Sequence, residues 1–279
     1  MDALSAPVVL ITGCSSGIGL ASAVEFARHG FTTVATMRNL GKADELRAAL
    51  TMNGLTAEIR ALDVDDLASV TAAVAGVVAD HGRIDVVVSN AGVAADGTLE
   101  ELSLDDIRGV FETNFFGTVS LFKAVLPAMR ERGEGRLIAV SSLAGALGQP
   151  FNDAYCASKQ ALEGLLESLH PVAAQVGVHV SVVEPGPVLG QFVQHGNAPS
   201  ERAADGPYAA SRARFQVIQE GGYQAAQPAQ EIAAVLVEVA TAETPVFRYQ
   251  TSESVSKLVG VKLKDLTGER LTGLTARWV

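Results

Sequence analysis

Tyr155 and Lys159, in the stretch "FNDAYCASK", have a spacing that suggests acid–base chemistry. Residues four positions apart share one face of a helix, so the phenol and the ammonium group can point into the same cleft. A cation about 5 Å from a phenol favours the phenolate by roughly 3 kcal/mol at an effective dielectric of 20. The sequence therefore predicts a Tyr155 pKa about two units below its usual value of about 10. Taken alone, such a pair is better explained as a surface coincidence.

Three other motifs precede this pair, and together they argue against coincidence. The glycine-rich stretch "TGCSSGIG" covers residues 12–19, "NAG" covers residues 90–92, and "SS" covers residues 141–142. Ser142 ends an apolar run, and the carboxyl ends of parallel strands face the binding crevice of a sheet. Its hydroxyl could therefore hold a substrate carbonyl oxygen. The neighbouring Ser141 is a rival for this role, but its spacing to the tyrosine is less favourable.

Short β-branched segments alternate with Ala- and Leu-rich helical segments along the chain. The predicted strands lie in seven segments: residues 7–13, 31–37, 57–64, 84–92, 135–142, 178–186 and 245–249. Near-continuous apolar strands separated by helices predict a parallel sheet that is covered on both faces. The predicted fold class is α/β, a doubly wound parallel sheet of about seven strands, with residues 1–279 as a single domain.

Two regions lack this alternating pattern. Residues 186–227 are rich in Gly, Pro, Gln and Ala, and we expect an irregular substrate-binding loop or lid there. The C-terminal tail, residues 251–279, is polar and weakly patterned, and the sequence does not indicate how it packs.

The composition excludes several function classes. The chain has 279 residues, a net charge of −10 and a pI of about 5.0, and it contains no Lys/Arg run of the kind that binds nucleic acid. Cys14 and Cys156 form no disulfide framework and do not recur at a metal-ligand spacing, so no metal is expected. The N-terminus lacks a signal-peptide pattern and no apolar run is long enough for a membrane span. We therefore expect a cytoplasmic protein.

The glycine-rich stretch predicts a dinucleotide site between the first strand and the first helix. Glycines allow a tight turn and let the backbone approach a pyrophosphate, which binds free N–H groups at the start of a helix. The residues concerned are Gly13, Ser15, Ser16, Gly17, Ile18 and Gly19. A plain glycine-rich turn is the alternative interpretation.

The end of the second strand indicates which dinucleotide binds. An acidic residue there would bind the ribose hydroxyls of NAD and repel the 2′-phosphate of NADP. The sequence instead reads "ATMRN", in which Arg38 can pair bidentately with a phosphate. NADP is therefore favoured over NAD, and an ordinary surface arginine is the alternative.

Together these motifs resemble the classical short-chain dehydrogenase/reductase family over roughly residues 7–190. "TGCSSGIG", "NAG", "YCASK" and "PGPV" stand where that family has them. Within the family, "ATMRN", "PFNDAYCASKQALEGLLESL" and "EPGPV" look most like the branch that contains 17β-hydroxysteroid dehydrogenase type 1 and the retinol dehydrogenases. The resemblance implies a Rossmann-type fold and hydride transfer between NADP(H) and a ketone or secondary alcohol. It also suggests a homodimer or homotetramer formed through the helices at 103–130 and 152–176.

The family's catalytic roles carry over to four residues of this sequence. Tyr155 would donate a proton to the carbonyl oxygen, Lys159 would lower the phenol pKa and bind ribose, and Ser142 would orient the carbonyl. Asn114, in "ETNFFG", resembles the helix asparagine that holds a water in a proton relay. A residue at a helix kink is the alternative for Asn114.

The family resemblance implies cofactor contacts for Tyr155 and Lys159 themselves and for several other positions. Asp63 and Val64 resemble the pair beside adenine, although Asp63 could instead be a helix N-cap. Asn90, Ala91 and Gly92 would line the cofactor floor, or would only stabilise a turn of the sheet. The segment against the nicotinamide amide contains Pro185, Gly186 and Val188.

The predicted substrate wall is formed by residues 143–151 and the 186–227 segment. Its apolar and aromatic members are Leu143, Leu147, Phe151, Val188, Phe192 and Tyr223, with Ser142 and Tyr155 at the reacting end. This surface suits a hydrophobic carbonyl or alcohol such as a steroid, retinoid or polyketide-like ketone, although each residue could equally belong to the core. His195 could touch a polar group of the substrate, or be solvated. Gly190 stands where the family commonly has threonine, which removes a hydroxyl donor to the cofactor.

Two other functions have to be weighed against a reductase. An NADP(H)-binding redox sensor would keep the glycine loop and usually lose the tyrosine or the lysine. A sugar-nucleotide epimerase or dehydratase also uses this pair, but it resembles the extended branch, with a longer chain and a different glycine spacing. The presence of both Tyr155 and Lys159 favours catalysis.

Overall fold

The computed structural model describes residues 6–189, 206–224, 226–262, 264–267 and 269, and they contain one seven-stranded parallel sheet. The strands are β1 (Val8–Ile11), β2 (Thr32–Met37), β3 (Glu58–Ala61), β4 (Val86–Ser89), β5 (Gly135–Val140), β6 (Val178–Glu184) and β7 (Arg248–Gln250). They pair in the order β3-β2-β1-β4-β5-β6-β7. The strand order reverses between β1 and β4, which places a crevice at their carboxyl ends. The predicted α/β doubly wound sheet is confirmed.

Helices connect successive strands and cover both faces of the sheet. They are α1 (Gly17–Arg28), α2 (Asp44–Met52), α3 (Leu67–His81), α4 (Leu104–Phe111), α5 (Gly117–Arg132), α6 (Leu143–Ala146), α7 (Asp153–Ala174), α8 (Ala209–Tyr223), α9 (Ala229–Thr241) and α10 (Glu253–Lys262). Among the described residues, no helix is both long enough and apolar enough to cross a membrane.

The core lies in two layers because successive side chains of a strand point to opposite faces. On β4, Val87 packs among residues of α3, α5 and α7. Its neighbours Val86 and Val88 pack on the other face, against α1 and α9. All three valines are buried, which explains why the strands are apolar without alternation. A sheet buried on both faces holds the strand ends in fixed positions, and these ends carry the site.

The segment 186–227 differs from the expected irregular loop. Residues 209–223 of it form helix α8, so the prediction of irregular structure throughout was wrong. Tertiary contacts explain this helix, because Arg212 on α8 is 6% exposed and pairs with Asp96 and Glu101. The sequence of α8 shows little apolar periodicity, so contacts with the rest of the protein must stabilise this helix.

The C-terminal tail also contains a helix. In α10, Val255 and Val259 are buried against Leu143 and Ala146 of α6. Two apolar residues four positions apart form one face of a helix turn, and this short apolar face fixes α10 beside the end of β5.

Candidate active site

Tyr155 and Ser142 meet at the carboxyl edge of the sheet. Ser142 follows β5 and caps α6, where its Oγ accepts a hydrogen bond from the Ala144 N–H at 3.1 Å. Tyr155 lies in the first turn of α7, and its phenol is hydrogen-bonded to the Ser142 side chain. The Ser142 side chain is fixed because it caps α6, and it is bonded to the Tyr155 phenol. The two hydroxyl groups can therefore contact the same substrate atom.

Lys159 lies one helical turn after Tyr155 and is 4% exposed. Its Nζ donates a hydrogen bond to the Val140 carbonyl at 2.9 Å and lies 5.9 Å from the centroid of the Tyr155 ring. Burial lowers the pKa of Lys159 to about 8, and the nearby Glu163 opposes that shift. The helical spacing therefore does bring the cation to the phenol, as the sequence predicted.

The expected lowering of the tyrosine pKa is not found in this structure. Burial raises the pKa of Tyr155 to about 12, and the hydrogen bond from Ser142 only partly offsets this increase. Cys156 and Tyr223 raise the pKa further. The attraction of the lysine favours the phenolate, but removing a phenolate from water costs more here, so the shift is upwards.

The two serines that compete for the substrate role point to different groups. The Ser141 hydroxyl is buried and donates to the Glu163 carboxylate, away from the phenol. Ser142 is partly exposed and bonds Tyr155. The geometry therefore favours Ser142.

Asn114 lies in a π-helical turn, Glu112–Phe116, between α4 and α5. Its side chain is bonded to the protein: Oδ1 accepts from the Val93 N–H at 2.8 Å, and Nδ2 donates to the Val93 carbonyl at 2.9 Å and to Ser158 Oγ at 3.0 Å. Both N–H donors are therefore used, and a water in a relay would bond to Oδ1 or to the main-chain carbonyl. Both interpretations of this residue persist, because it lies at a helix irregularity and also beside the site.

Gly92 lies directly beside two of the catalytic candidates. A Cβ atom at this position would be 3.3 Å from Asn114 Oδ1 and 3.7 Å from Lys159 Nζ. The "NAG" segment therefore forms the wall of the space around the ammonium group. A side chain at position 92 would enter this space.

The glycine-rich turn has the shape that a pyrophosphate site needs. Gly13 and Gly17 have φ of 73° and 56°, values that favour glycine. A Cβ at Gly19 would lie 2.2 Å from the Gly13 carbonyl oxygen, so only glycine fits there. Ser16 precedes α1 without capping it through its side chain, which leaves the first N–H groups of the helix for a ligand. The chain therefore fits the dinucleotide, with Ser15 and Ile18 partly exposed in the same turn.

Asn90 and Ala91 connect the glycine turn to the end of β4. Their N–H groups donate to Thr12 Oγ1 at 3.0 and 3.1 Å. Asn90 Nδ2 also donates to the Thr12 carbonyl at 2.9 Å. These bonds stabilise a turn, which was the alternative interpretation, and they also fix the floor beside the glycines.

The end of β2 carries Arg38, whose side chain is 73% exposed and lies 4.0 Å from Asp65. Such a distant, exposed ion pair contributes little, so the guanidinium is available to a ligand. The N-cap of α3 is Asp66, whose side chain accepts from the Ala68 N–H at 2.8 Å. The alternative role of Asp63 as a helix N-cap is therefore wrong. Asp63 accepts from the Asp65 N–H within the preceding turn, and the next residue, Val64, is buried.

The segment after β6 is fixed at several points. The Pro185 carbonyl accepts from the Leu143 N–H at 2.8 Å. A Cβ at Gly186 would lie 2.8 Å from Val255 Cγ2, so α10 passes close to the backbone here. Val188 pairs with Gln227, whose carbonyl accepts from the Leu189 N–H at 2.9 Å. Gly190, Phe192 and His195 lie outside the described residues.

The described members of the predicted substrate wall are mostly packed. Leu143 and Leu147 contact the apolar face of α10. The Phe151 ring is buried below α8, 4.4 Å from the Arg212 guanidinium carbon and 5.7 Å from the Phe215 ring. Tyr223, at the end of α8, is close enough to Tyr155 to raise the pKa of its phenol. Phe151 and Tyr223 thus place α8 beside the site, and Tyr223 is the wall residue nearest to the reacting group.

Helix α8 is attached to the body by ion pairs. Arg212 Nη1 lies 2.8 Å from Asp96, and its Nη2 lies 2.7 Å from Glu101. The Tyr208 hydroxyl donates to Glu100 at 2.6 Å. All three acidic residues lie in the segment between β4 and α4, so this segment attaches α8 to the body of the protein.

Comparison with known proteins agrees with this geometry. A sequence model of the short chain dehydrogenase family matches residues 7–201, well over half of the chain. The chain belongs to the short-chain dehydrogenase family.

Relatives of this dehydrogenase place it in the branch that the motifs resemble. Human (Homo sapiens) 17-beta-hydroxysteroid dehydrogenase type 1 is 41% identical over 275 residues, which cover 94% of this chain and 82% of that protein. Bovine (Bos taurus) retinol dehydrogenase 8 is 40% identical over 270 residues, or 93% and 86% of the two chains. A short-chain dehydrogenase/reductase from Burkholderia phymatum, solved with NAD, has a TM-score of 0.80 and 27% identity over 95% of each chain. The expected branch is confirmed.

Sequence reasoning missed several residues that build the site of this dehydrogenase. Thr12 connects two loops, Ser158 holds Asn114, and Arg212 attaches α8. Of these, only Thr12 had a visible signal, because it precedes the glycine turn. The partners of the other two are 44 and 116 residues away in the chain.

Proposed function

We propose that this short-chain dehydrogenase transfers hydride between NADP(H) and a hydrophobic ketone or secondary alcohol. The observation that carries the proposal is the arrangement of Ser142, Tyr155 and Lys159 at the carboxyl edge of the sheet. The glycine turn that fits a dinucleotide lies at the same edge. A redox sensor would need the binding turn but would have no use for a phenol bonded to a serine and placed beside a buried cation.

The chain's own groups can perform the proton chemistry. A carbonyl oxygen between the Ser142 hydroxyl and the Tyr155 phenol would accept hydrogen bonds from both, which polarises the C=O bond. When bound, NADPH supplies the hydride that the carbonyl carbon accepts. The phenol gives its proton to the oxygen, and the ammonium group of Lys159 stabilises the phenolate that remains. Burial disfavours that phenolate, so the cation matters more here than it would in water.

The proposed substrate class rests on the substrate wall and on the relatives. The described wall is apolar and aromatic, with Leu143, Leu147 and Phe151 packed behind the reacting end. The curated relatives are named for hydroxysteroids and retinol, which are rigid or extended apolar alcohols. We infer a substrate of that kind, with a carbonyl or hydroxyl group on a largely apolar frame.

NADPH consumption with a panel of steroid, retinoid and polyketide-like ketones tests this function. Steady absorbance loss at 340 nm for at least one apolar ketone is expected. Tight NADPH binding with no turnover on any member of the panel, in either direction, would contradict the enzyme and favour the sensor.

Arg38→Ala is expected to raise the KM for NADPH about tenfold, the effect of losing one exposed charge-assisted contact. The KM for NADH should not change, because NADH lacks the 2′-phosphate. Arg47→Ala is the matched control, since Arg47 is also an exposed arginine and pairs only locally with Asp44 among the described residues. Equal effects of Arg38→Ala on the two cofactors would contradict the preference for NADP.

Arg212→Met is expected to raise the KM for an apolar ketone about tenfold, because α8 loses both ion pairs of its buried arginine. The Kd for NADPH, measured by fluorescence titration, should stay unchanged. Arg214→Met controls for charge and helix position, because Arg214 is exposed on the same helix and bonds Ser211. If the two variants behave alike, α8 does not cover the substrate.

Two further properties are proposed from the family resemblance. We infer a homodimer or homotetramer formed through α4, α5 and α7. Leu165 and Val172 on α7 are 39% and 50% exposed, and Phe116, in the π-helical turn before α5, is 49% exposed. In the proposed oligomer these apolar side chains would be covered by the partner subunit. A cytoplasmic location stays a prediction from the sequence.

A further inference from the structure

A cluster of buried charges lies behind Lys159, on the side away from the cleft. Glu163 on α7, Glu184 on β6 and Arg248 on β7 are 2%, 0% and 7% exposed. Arg248 Nε lies 3.5 Å from Glu163 Oε2 and 3.2 Å from Glu184 Oε1. Its Nη2 lies 2.7 Å from Glu167, one helical turn after Glu163 and partly exposed. The proton transfer proposed above uses none of these groups.

Glu163 is connected to the site through the end of β5. The Ser141 hydroxyl donates to Glu163 Oε1. The residue before Ser141 is Val140, whose carbonyl accepts from Lys159, and the residue after it is Ser142, which bonds the Tyr155 phenol. The Glu163 carboxylate therefore fixes Ser141. This residue lies between Val140, which bonds Lys159, and Ser142, which bonds Tyr155.

The fit around this contact is tight. A Cβ at Gly145 would lie 2.0 Å from Glu163 Oε1 and 2.4 Å from Ser141 Oγ. Helix α6 therefore packs its backbone directly on the Ser141–Glu163 pair, and only glycine fits there. Such packing fixes the carboxylate as well as the strand end.

Glu163 also acts on the lysine through its charge. It lies four residues after Lys159 on the same helix face and raises the pKa of Lys159 against the effect of burial. The charged and titratable groups around Glu163 are Lys159 and Glu167 on α7, Glu184 on β6 and Arg248 on β7, and Ser141, directly after β5, bonds its carboxylate. Burial and the neighbouring Glu184 raise the pKa of Glu163 itself. As pH rises, ionisation of Glu163 favours retention of the proton on Lys159.

We propose that Glu163 is a positioning residue that fixes the end of β5 through Ser141 and delays the loss of the Lys159 proton as pH rises. The role of Lys159 in turnover rests on the proposed function, but its protonation can be measured without turnover. Glu167 provides the contrast. It shares Arg248 and the same helix, yet among the described residues no contact joins it to Ser141.

The test compares Glu163→Gln with Glu167→Gln in cofactor-free protein. The titration midpoint of Lys159 is followed through its ¹³Cε resonance, assigned among the chain's six lysines with Lys159→Arg. Loss of a nearby carboxylate should lower this midpoint by about one pH unit in Glu163→Gln. It should not move in Glu167→Gln. Equal shifts in the two variants, or no shift in either, would overturn the proposal.

Activity gives a second, separable readout. The alkaline limb of the pH profile for ketone reduction should move to lower pH in Glu163→Gln and stay in place in Glu167→Gln.

If Glu163→Gln does not fold, Ser141→Ala takes its place. Loss of the Ser141 hydroxyl raises the pKa of Glu163 further, so the titration midpoint of Lys159 should again fall. An unchanged midpoint in a folded Ser141→Ala protein would contradict the role of Glu163. Absence of any turnover by the unmodified protein would instead remove the proposed function and leave the titration result standing.

Discussion

Tyr155→Phe is expected to reduce kcat/KM for ketone reduction by about 10³-fold, within the range of a lost general acid. The substitution removes one oxygen atom and keeps the ring, so packing at the start of α7 is preserved. The phenol is the group bonded to Ser142, and with its raised pKa it is protonated at neutral pH and ready to donate. NADPH affinity should change little, because the glycine turn is separate from the phenol.

Measurement of kcat/KM and of the Kd for NADPH on the same preparation checks this expectation. Tyr249→Phe is the matched control, because Tyr249 is partly buried in β7 and its hydroxyl accepts only from the Val246 N–H among the bonds described. A Tyr155→Phe enzyme with near-normal turnover would refute the proton-donor role. A loss of NADPH binding would place the tyrosine in the cofactor site instead.

Lys159→Met is expected to lower kcat/KM by at least about 10²-fold, because a buried phenolate loses its nearby cation. Methionine fills most of the space of the lysine stem. The Val140 carbonyl would lose the donor that now lies 2.9 Å away, at a cost of about 1–3 kcal/mol of stability. Thermal unfolding separates this cost from the catalytic effect. Lys123→Met, at an exposed position of α5, controls for loss of a charge.

The pH profile supplies an independent check on Lys159. Its pKa is lowered to about 8 and that of Tyr155 is raised to about 12, so the lysine loses its proton first as pH rises. Reduction should therefore decline from about pH 8 upwards in the unmodified enzyme. The decline should be absent in Lys159→Met. If activity still declined above about pH 8 in Lys159→Met, another titrating group would have to cause the decline.

The parts of this site that follow from local pattern were predictable from the sequence. The strands are continuous apolar runs, and their shared carboxyl edge follows from the parallel topology. Tyr155 and Lys159 meet because α7 has a fixed period. The glycine turn is a local backbone requirement, and it appears as glycines in the sequence.

Other parts depend on the finished fold and leave no local signal. The Arg212 contacts join residues that are 116 and 111 positions apart. Glu163 reads as one more helix charge until β6 and β7 enclose it. The direction of the Tyr155 pKa shift was wrong for the same reason, since burial is a property of the whole structure. The sequence spacing predicts that Lys159 lies near the phenol of Tyr155, but it does not show how deeply that phenol is buried.

The backbones of Pro187 and Leu189 are hydrogen-bonded to the backbone of Gln227, and this pairing brings together the two ends of the segment between them. Leu189 donates to the Gln227 carbonyl and the Gln227 N–H donates to the Pro187 carbonyl, each at 2.9 Å. These two hydrogen bonds hold the residues before position 190 next to the residues after position 226. When the ends of a flexible loop are held together, each doubling of its length costs only about 0.6 kcal/mol. If this segment binds the substrate, as proposed, we expect its exchange between relatives to change substrate preference and to leave the Tyr155–Lys159 pair in place.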